Sequence, residues 1–244
     1  MDTPSFSFSS SDEKKVYVRE MFSNIAGRYD FLNHFLSFGQ DYRWRRKAIK
    51  LIKTHLNGRA KPTMLDIACG TGDLSFEALR QIPDAVITGM DLAKPMLDVF
   101  QKKIDEKHVS ITIGEGDVEA MSFADSSFDA VMIGFATRNF SKLEVAFTEI
   151  YRVLKPGGIF VNLELSKPRR FPMKQGYLFY SKFIMPLIGK QVSKNSEAYS
   201  YLPDSIQRFP EREEIVAMLT RIGFHDARWK DLSAGIVSMH IGVK

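Results

Sequence analysis

Apolar residues recur at helical spacing along the first part of the chain and predict three helices there. The first helix ends at Gly27, the second spans Tyr29–Leu36, and the third spans Asp41–His55 and stops at Asn57-Gly58. The Ser-rich stretch that precedes Asp12 predicts a loose tail. The N-terminal part is therefore expected to be helical throughout.

From Pro62 onward, short apolar runs alternate with helical runs. Buried strands that alternate with helices are typical of a parallel sheet covered by helices on both faces. The predicted strands are Met64–Ala68, Val86–Met90, Val109–Ile113, Phe128–Phe135 and Ile159–Leu165, with helices up to about Gln81, over Pro95–Lys107 and over Leu143–Leu154.

The segment from Lys167 to Ser205 breaks this alternation, because it is rich in proline and carries an aromatic, helix-like stretch from Tyr177 to Ile188. It predicts an insertion over the edge of the sheet. Regular order resumes with a helix and with two strands that should pair as a hairpin. These elements are Glu211–Ile222, His225–Trp229 and Gly235–Val243.

These patterns predict five segments: a flexible tail (1–12), an N-terminal helical cap (13–58), a cofactor-binding core (59–166), an inserted substrate lid (167–206) and the C-terminal part of the core sheet (207–244). No apolar run approaches the roughly 20 residues that a membrane-spanning helix needs.

Composition excludes several classes of protein. The chain has 244 residues, of which 44% are hydrophobic and 26% charged, and such values exclude a disordered chain. Its single cysteine, Cys69, excludes an internal disulfide, and its start lacks the pattern of a secretory signal, so a cytoplasmic location is expected. The five histidines show no metal-ligand spacing, and no metal is expected.

The strongest chemical signal is a buried strand that ends in the turn Gly70-Thr71-Gly72 and opens a helix. Glycines at such a turn let the backbone approach a ligand closely. Asp91 ends the next strand, where a carboxylate can accept hydrogen bonds from both hydroxyls of a ribose. Asp117 follows the third strand and can reach an exocyclic amine. The pattern therefore predicts a nucleoside-containing cofactor.

Two such cofactors compete. A nicotinamide dinucleotide favours Gly-x-Gly-x-x-Gly, but Ser75 stands at the third glycine position, and Asp73 at the helix N-terminus would repel a pyrophosphate. S-adenosylmethionine has no phosphate and carries a sulfonium and an ammonium cation. Asp66 in the strand adds further negative charge. The acidic turn therefore favours S-adenosylmethionine over a dinucleotide.

Longer motifs resemble the class I S-adenosylmethionine-dependent methyltransferases, namely LDIACGTGD (65–73), GMDLAKPML (89–97), GEGDVEAMSFADSSFDAV (114–131) and YRVLKPGG (151–158). Three others are similar to the ubiquinone/menaquinone biosynthesis C-methyltransferase family: MFSNIAGRYDFLNHFLSFGQDYRWRR (21–46), IGFATRNF (133–140) and LELSKP (163–168). The resemblance runs from about Lys15 to the C-terminus. The chain departs from the family at Ala136-Thr137, where Gly-Leu is usual, and in its Ser-rich head.

The resemblance implies a Rossmann-like sheet of seven strands, six parallel and the last antiparallel. It implies methylation of a ring carbon of a polyprenyl quinol, with demethylmenaquinol as the first substrate and the benzoquinol of the ubiquinone route as the second. A homodimer is a candidate assembly. The implied cofactor-binding residues are Asp66, Gly70, Thr71, Gly72, Asp91, Leu92, Asp117, Val118 and Gly134.

Residues expected at the carboxyl edge of the sheet or in the cap are the candidates for catalysis. A quinol carbon becomes a better nucleophile when the neighbouring hydroxyl loses its proton. Arginine is a poor base, so Arg138 is expected to stabilise the phenolate or to order a water, unless it only pairs with a surface carboxylate. The candidates are Arg138, Asn139, Glu164, Tyr29 and Asp30, with Asn33 also facing the pocket.

The aromatic residues of the insertion and the basic residues around it each allow two interpretations. The aromatic stripe belongs either to the core or to the wall of a pocket for an isoprenoid tail. The basic residues are either a solvated face or a surface that docks on anionic lipid at the inner face of the membrane. The aromatic set is Phe171, Met173, Tyr177, Phe179, Tyr180, Phe183, Met185 and Leu187, and the basic set is Arg43, Arg45, Arg46, Lys47, Lys167, Arg169, Arg170 and Lys174.

Two rival functions fit less well. An NAD-dependent reductase would be expected to carry the third glycine and a Tyr-x-x-x-Lys motif after the fourth strand, and the chain has neither at these positions. An RNA-binding module would use the basic caps, but the chain carries no recognisable RNA-binding motif, and nucleic acid is not an expected partner.

Overall fold

A seven-stranded sheet forms the centre of the structure, a computed structural model that describes residues 6–169, 171–172, 174–176 and 197–244. Its strands lie in the order β3-β2-β1-β4-β5-β7-β6. In chain order they are β1 (Thr63–Ile67), β2 (Val86–Asp91), β3 (Thr112–Glu115), β4 (Phe128–Gly134), β5 (Leu154–Leu165), β6 (His225–Leu232) and β7 (Val237–Val243).

Helices precede the sheet, connect its strands and cover it. They are α1 (Ser11–Ile25), α2 (Tyr29–Leu36), α3 (Gln40–His55), α4 (Asp73–Gln81), α5 (Lys94–Lys107), α6 (Leu143–Val153), α7 (Glu197–Arg208) and α8 (Arg212–Ile222). Short 3₁₀ turns occupy Ala26–Arg28, Thr137–Asn139 and Ser233–Gly235.

The strand directions confirm the predicted topology. β1 pairs in parallel with β2 and β4, and the parallel set continues to β3 and β5. β7 is antiparallel to both β5 and β6, so six strands share one direction and the last one opposes them. The chain order reverses between β1 and β4. In open parallel sheets, ligands bind in the crevice at the carboxyl ends of the strands at such a point.

Some boundaries differ from the prediction. β5 begins at Leu154, directly after α6, because Leu154 already pairs with Phe128 of β4; the Lys155–Gly158 segment, which was expected to stop a helix, forms an irregularity before pairing resumes at Ile159. β6 runs on to Leu232 because β7 pairs with it that far. The segment Glu197–Arg208 is helical although Pro203 lies inside it, and this helix was not among the elements predicted for the insertion over Lys167–Ser205. The predicted helix Tyr177–Ile188 lies outside the described residues.

Each face of the sheet buries its own apolar layer. Met132 of β4 faces the layer that contains Ile52 and Phe100, whereas its neighbour Val131 faces the layer that contains Phe147 and Leu219. Successive side chains of a strand point to opposite faces, and here both faces are covered. This double burial is why the central strands read as nearly continuous apolar runs.

Polar side chains interrupt the core on one face of β5 and β7. Asn162 and Glu164 alternate along β5 and stand opposite His240 and Ser238 of β7, and all four are fully buried. Burial lowers the pKa of His240 to about 3, so its imidazole is neutral. The Thr137 hydroxyl donates to Asn162 Oδ1 at 2.7 Å. These groups support the 3₁₀ turn that follows β4.

The N-terminal helices cover the carboxyl edge of the sheet and are held there by polar contacts. Trp44 Nε1 of α3 donates to Ser233 Oγ at 2.9 Å, and Lys14 Nζ of α1 donates to the Phe140 carbonyl at 2.6 Å. Phe6 packs on Tyr17 with ring centroids 5.7 Å apart. Among the described residues, no helix is long and apolar enough to cross a membrane.

The turn before α4 is the position where a side chain is least tolerated. Gly72 has φ +86°, and a Cβ there would lie 2.0 Å from the Phe100 ring. We expect Gly72→Ala to destabilise the fold by about 2–4 kcal/mol, since it adds left-handed strain to overpacking. Gly27→Ala is the control, because a Cβ there meets nothing within 4 Å. Urea unfolding of both variants measures the difference, and equal stabilities would contradict it.

Candidate functional site

The glycine turn ties the ends of the first two strands together. Gly70, with φ +55°, donates its backbone N–H to Asp91 Oδ2 at 2.8 Å, and the other oxygen of Asp91 accepts from the Ala93 N–H at 2.8 Å. Burial raises the pKa of Asp91, and these backbone hydrogen bonds counteract the shift. The carboxylate is therefore held rigidly at the carboxyl end of β2.

A first cavity of about 750 Å³ opens beside this turn. Its wall combines the ends of β1 and β2 with the loop after β3 and the inner side of the cap. Of the residues predicted to bind the cofactor, Gly70, Asp91, Leu92, Asp117 and Val118 line this cavity.

The other residues predicted to bind the cofactor are described by the structure but do not line this cavity. They are Asp66, Thr71, Gly72 and Gly134. Gly72 packs against Phe100, and a Cβ at Gly134 would touch Leu74 at 3.5 Å. The Thr71 hydroxyl donates to Asp30 Oδ1 at 2.5 Å. These residues shape the turn and the floor from outside the cavity.

Asp66 does not add the full negative charge that the sequence suggested. It is 1% exposed and accepts a hydrogen bond from Ser75 Oγ at 2.6 Å. Burial raises the pKa of Asp66 to about 7, with a smaller contribution from the nearby Asp91 and against the lowering effect of Ser75. Near neutral pH this carboxyl group is therefore only partly ionised.

Asp73 at the start of α4 is compensated by cations. Arg45 Nη2 lies 3.3 Å and Lys103 Nζ 3.2 Å from its carboxylate. Lys103 also pairs with Asp30 at 2.6 Å. The predicted repulsion of a pyrophosphate by Asp73 is therefore weaker than the sequence implied. Asp30, predicted as catalytic, lies in this ion-pair cluster between the cap and α5.

A second cavity of about 980 Å³ adjoins the first. The two share three wall residues, Phe22, Tyr29 and Phe135. The second cavity is mostly apolar, and its remaining wall consists of Met21, Ile25, Leu32, Asn33, Leu36, Ser37, Asp41, Trp44, Arg45, Arg138, Leu165, Tyr201 and Leu202.

Arg138 enters the second cavity as a buried cation. Its Nη1 pairs with Glu164 Oε1 at 2.7 Å and donates to the Phe135 carbonyl, while Glu164 Oε2 accepts the Arg138 backbone N–H at 3.0 Å. The partner is thus a buried carboxylate rather than the surface one that the alternative interpretation supposed. Burial lowers the pKa of Arg138, but the charge and hydrogen bond of Glu164, together with Tyr29 and Tyr201, more than offset this, so the pKa is raised and the guanidinium stays charged.

One buried donor of Arg138 has no partner in the part of the chain that the structure describes. Its Nε is buried and makes no hydrogen bond among the described residues. An unpaired buried N–H is costly.

Tyr29 and Asn139, also predicted as catalytic, lie close to the junction of the cavities. Tyr29 lines both of them, and burial raises the pKa of its hydroxyl. Asn139 lines the first cavity, and its Oδ1 accepts from the Tyr201 hydroxyl at 3.2 Å. The structure therefore brings Tyr29, Arg138, Asn139 and Glu164 into one region.

Sequence reasoning missed Lys15. Its Nζ pairs with Asp117 at 2.6 Å and with Glu119 at 2.7 Å, so α1 closes the first cavity at the residue predicted to reach an exocyclic amine. The contact joins segments more than a hundred residues apart. Nothing in the local pattern around Lys15 signals it.

The described residues include one cluster with metal-ligating side chains, formed by His34, Asp41 and Asp73. Arg45 lies between the two carboxylates, with Nη1 at 2.5 Å from Asp41 and Nη2 at 3.3 Å from Asp73. Its guanidinium supplies the positive charge that a metal ion would bring.

Comparison with known proteins places these cavities in a family context. A family model described as the ubiE/COQ5 methyltransferase family matches residues 9–244. A demethylmenaquinone methyltransferase from Porphyromonas gingivalis is 42% identical over 234 residues, which cover 95% of this chain and 94% of that protein. A ubiquinone/menaquinone biosynthesis C-methyltransferase UbiE from Geobacter sulfurreducens is 43% identical over 235 residues, with coverage of 95% and 90%.

The fold has solved counterparts as well. A SAM-dependent methyltransferase from Thermotoga maritima matches with a TM-score of 0.61 at 18% identity, covering 92% of this chain and 99% of that one. At that identity the likeness concerns the fold.

The raised pKa of Asp66 makes stability depend on pH. The folded chain keeps a proton up to about pH 7 that an ordinary carboxyl group, with a pKa of 3.8, has already lost. The free energy of unfolding therefore falls as pH rises from about 4 to about 7, by roughly 4 kcal/mol from this group. Asp66→Asn should remove that decline, as measured by urea unfolding across the window.

The exposed Asp226 supplies the matched control, because Asp226→Asn removes a carboxyl group from the surface. That variant should keep the decline of the parent protein. Parallel curves for Asp66→Asn and the parent would show that Asp66 does not titrate in this window.

Proposed function

The chain belongs to the ubiE/COQ5 methyltransferase family and is an S-adenosylmethionine-dependent methyltransferase, and we propose that it methylates a ring carbon of demethylmenaquinol. The benzoquinol intermediate of ubiquinone biosynthesis is the second candidate, since the UbiE relative is named for both quinones. Membership of this family excludes the alternative of an NAD-dependent reductase. The observation that carries the proposal is the pair of adjoining cavities, one beside the glycine turn and one apolar with a buried guanidinium.

The first cavity suits the cofactor chemically. Carboxylates in its wall, at the end of β2 and in the loop after β3, provide acceptors for hydroxyl, amine and ammonium groups. We assign Asp91 to the ribose and Asp117 with Val118 to the base. Gly70 lets the backbone approach the ligand, while Asp66, Thr71, Gly72, Leu92 and Gly134 shape the turn and its surroundings. When bound there, S-adenosylmethionine supplies an electrophilic methyl group.

The second cavity suits a quinol head group. Its apolar wall accepts an aromatic ring and the start of a prenyl chain, and the polar atoms of Asn33, Ser37 and Arg138 can meet the ring oxygens. Tyr29 and Phe135 belong to both cavities. A ring held against them therefore lies next to the first cavity, and alignment of this kind contributes strongly to rate.

Arg138 has the clearest role in the chemistry. Once the hydroxyl has lost its proton, the neighbouring oxygen carries negative charge, and this charge flows into the ring when its carbon displaces the sulfur from the methyl group. A guanidinium fixed by Glu164 and by the Phe135 carbonyl can stabilise that charge without reorganising. Tyr29 and Asn139 then orient the ring or a water, and Glu164 acts by holding Arg138.

The substrate and the surface around the site bear on where the protein works and on how it assembles. Because a polyprenyl quinol resides in lipid, we propose that the protein works in the cytoplasm in peripheral contact with the inner face of the membrane. The expected lid segment lies largely outside the described residues; within them, Phe171 is 79% exposed. Part of the predicted basic surface is neutralised, since Lys167 and Arg169 pair with Glu211. A homodimer stays an expectation from the sequence.

Product analysis tests the proposed reaction. The purified chain is incubated with S-adenosylmethionine labelled at the methyl group and with demethylmenaquinol or the demethylated benzoquinol, and products are identified by mass spectrometry. Label on a ring carbon of the naphthoquinol supports the proposal. Label only on the benzoquinol supports the second candidate, and label on oxygen or on neither compound contradicts both.

The assignment of Asp91 is testable by binding. Asp91→Ala removes a charged acceptor at the end of β2, and charged hydrogen bonds contribute about 1.5–3 kcal/mol. We expect cofactor affinity in calorimetry to fall at least tenfold while circular dichroism stays native. Asp98→Ala on α5, at an exposed carboxylate paired with Lys94, is the control and should bind like the parent. Unchanged affinity in folded Asp91→Ala would refute the assignment.

The role of Arg138 is testable by turnover. Arg138→Ala should lower turnover on the order of a hundredfold, as for the loss of one oxyanion donor, and Arg138→Lys should restore only part of it. Because removing one partner of a buried ion pair destabilises a fold, the double variant Arg138→Gln with Glu164→Gln removes both charges. It should fold, bind cofactor and remain slow. Normal turnover in that variant would make the pair structural only.

A further inference from the structure

The cap exposes a row of aromatic side chains. Phe31, Phe35, Phe38 and Tyr42 have exposed fractions of 61%, 49%, 79% and 55%, and together we name them the aromatic ridge. Phe31 and Phe35, one turn apart on α2, stack with ring centroids 5.8 Å apart. Contiguous apolar surface of this kind marks interaction sites in soluble domains.

The tip of the ridge is held in an unfavourable backbone conformation. Phe38 has φ +52° in the turn between α2 and α3, a region that bulky side chains rarely adopt, and Gly39 follows with φ +69°. Strain at a residue whose ring is mostly exposed does not serve the core. It instead belongs to the turn that ends α2 and starts α3, and it leaves the Phe38 ring exposed.

Cations continue the ridge along α3. Arg43, Arg46, Lys47 and Lys50 are exposed, and none of them forms an ion pair among the described residues. The two acidic residues of the same helices are committed elsewhere, Asp30 to Lys103 and Asp41 to Arg45. This surface is therefore aromatic at its tip and positively charged behind it.

The opposite face of α2 borders the second cavity. Leu32 and Leu36 line that cavity, while Phe31 and Phe35 point away from it into solvent. Whatever covers the ridge therefore lies one helix away from the proposed quinol site.

We propose that the aromatic ridge and the cations behind it dock the protein on a bilayer that contains anionic lipid. Aromatic rings favour the headgroup level of a membrane, and exposed Arg and Lys are attracted to anionic headgroups. The purpose of this docking rests on the proposed function. A docked cap brings the second cavity to the lipid phase, where a polyprenyl quinol resides.

A second copy of the chain fits this surface less well. A symmetric dimer would place the same patch on both sides of its interface, so the cations of α3 would face one another. Like charges brought together in this way oppose association, whereas an anionic bilayer complements them.

Vesicle cosedimentation with the full chain tests the proposal. Neutral phosphatidylcholine vesicles are compared with vesicles that contain about one-third phosphatidylglycerol. The ridge variant combines Phe31→Ser, Phe35→Ser and Phe38→Asn, and the cation variant combines Arg43→Gln, Arg46→Gln and Lys47→Gln. Controls are Trp229→Ser, and Arg221→Gln with Arg228→Gln and Lys230→Gln, which change exposed residues on α8 and β6.

The parent should prefer the anionic vesicles and lose binding with added salt. The ridge variant should bind at least tenfold more weakly, and the cation variant should lose about fivefold per charge on anionic vesicles. The controls should match the parent. Binding of the ridge variant equal to that of the parent overturns the proposal. A change from dimer to monomer without loss of vesicle binding assigns the ridge to a second copy and overturns it too.

Activity separates this proposal from the proposed function. The ridge variant should methylate a short-tailed quinol in solution as the parent does, and lose rate only on a long-tailed quinol in vesicles. If the parent methylates neither quinol, the proposed function fails while the vesicle result still decides the docking surface. Equal loss on both substrates would indicate damage to the site and would contradict a docking role.

Discussion

The buried ion pair between Arg138 and Glu164 is the interaction on which the site depends. Glu164 is fully buried in β5 and holds both the guanidinium and the backbone N–H of Arg138, so the turn after β4 cannot shift without leaving a buried charge unpaired. Such a loss destabilises a fold by about 3–5 kcal/mol. The Thr137–Asn162 hydrogen bond supports the same turn from within the sheet. A wall this firmly held can stabilise charge that develops beside it.

The cap completes what the sheet begins. The carboxyl ends of β1 and β2 provide the glycine turn and Asp91, while α1 and α2 help to enclose the first cavity and α1, α2, α3 and α7 help to enclose the second. Lys15 joins α1 to the loop after β3, Lys103 joins α5 to the start of α2, and Trp44 joins α3 to the turn before β7. These polar contacts fix the cap at the rim, while α3 also packs Trp44, Ile49 and Ile52 into the core. The cap helix that borders the second cavity also carries the aromatic ridge.

Local patterns predicted much of this structure, and long-range contacts account for the rest. The strands, the glycine turn and the strand-end Asp91 follow from short-range rules, as does the antiparallel last strand once the hairpin is recognised. The charge of Asp66 was misjudged because its pKa depends on burial beneath α4. Asp73 looked like a free anion because its partners Arg45 and Lys103 come from distant helices. A helix containing Pro203 was not expected from a proline-rich segment.

The central claim is that the two adjoining cavities hold a methyl donor and a quinol ring on either side of Tyr29 and Phe135. A crystal structure with S-adenosylhomocysteine and a short-tailed demethylated naphthoquinone tests this directly. We expect the adenosyl group in the first cavity with its ribose at Asp91, and the quinone ring in the second cavity with an oxygen within hydrogen-bonding distance of Arg138. A ring bound outside the second cavity, or one whose oxygens lie away from Arg138, would contradict it.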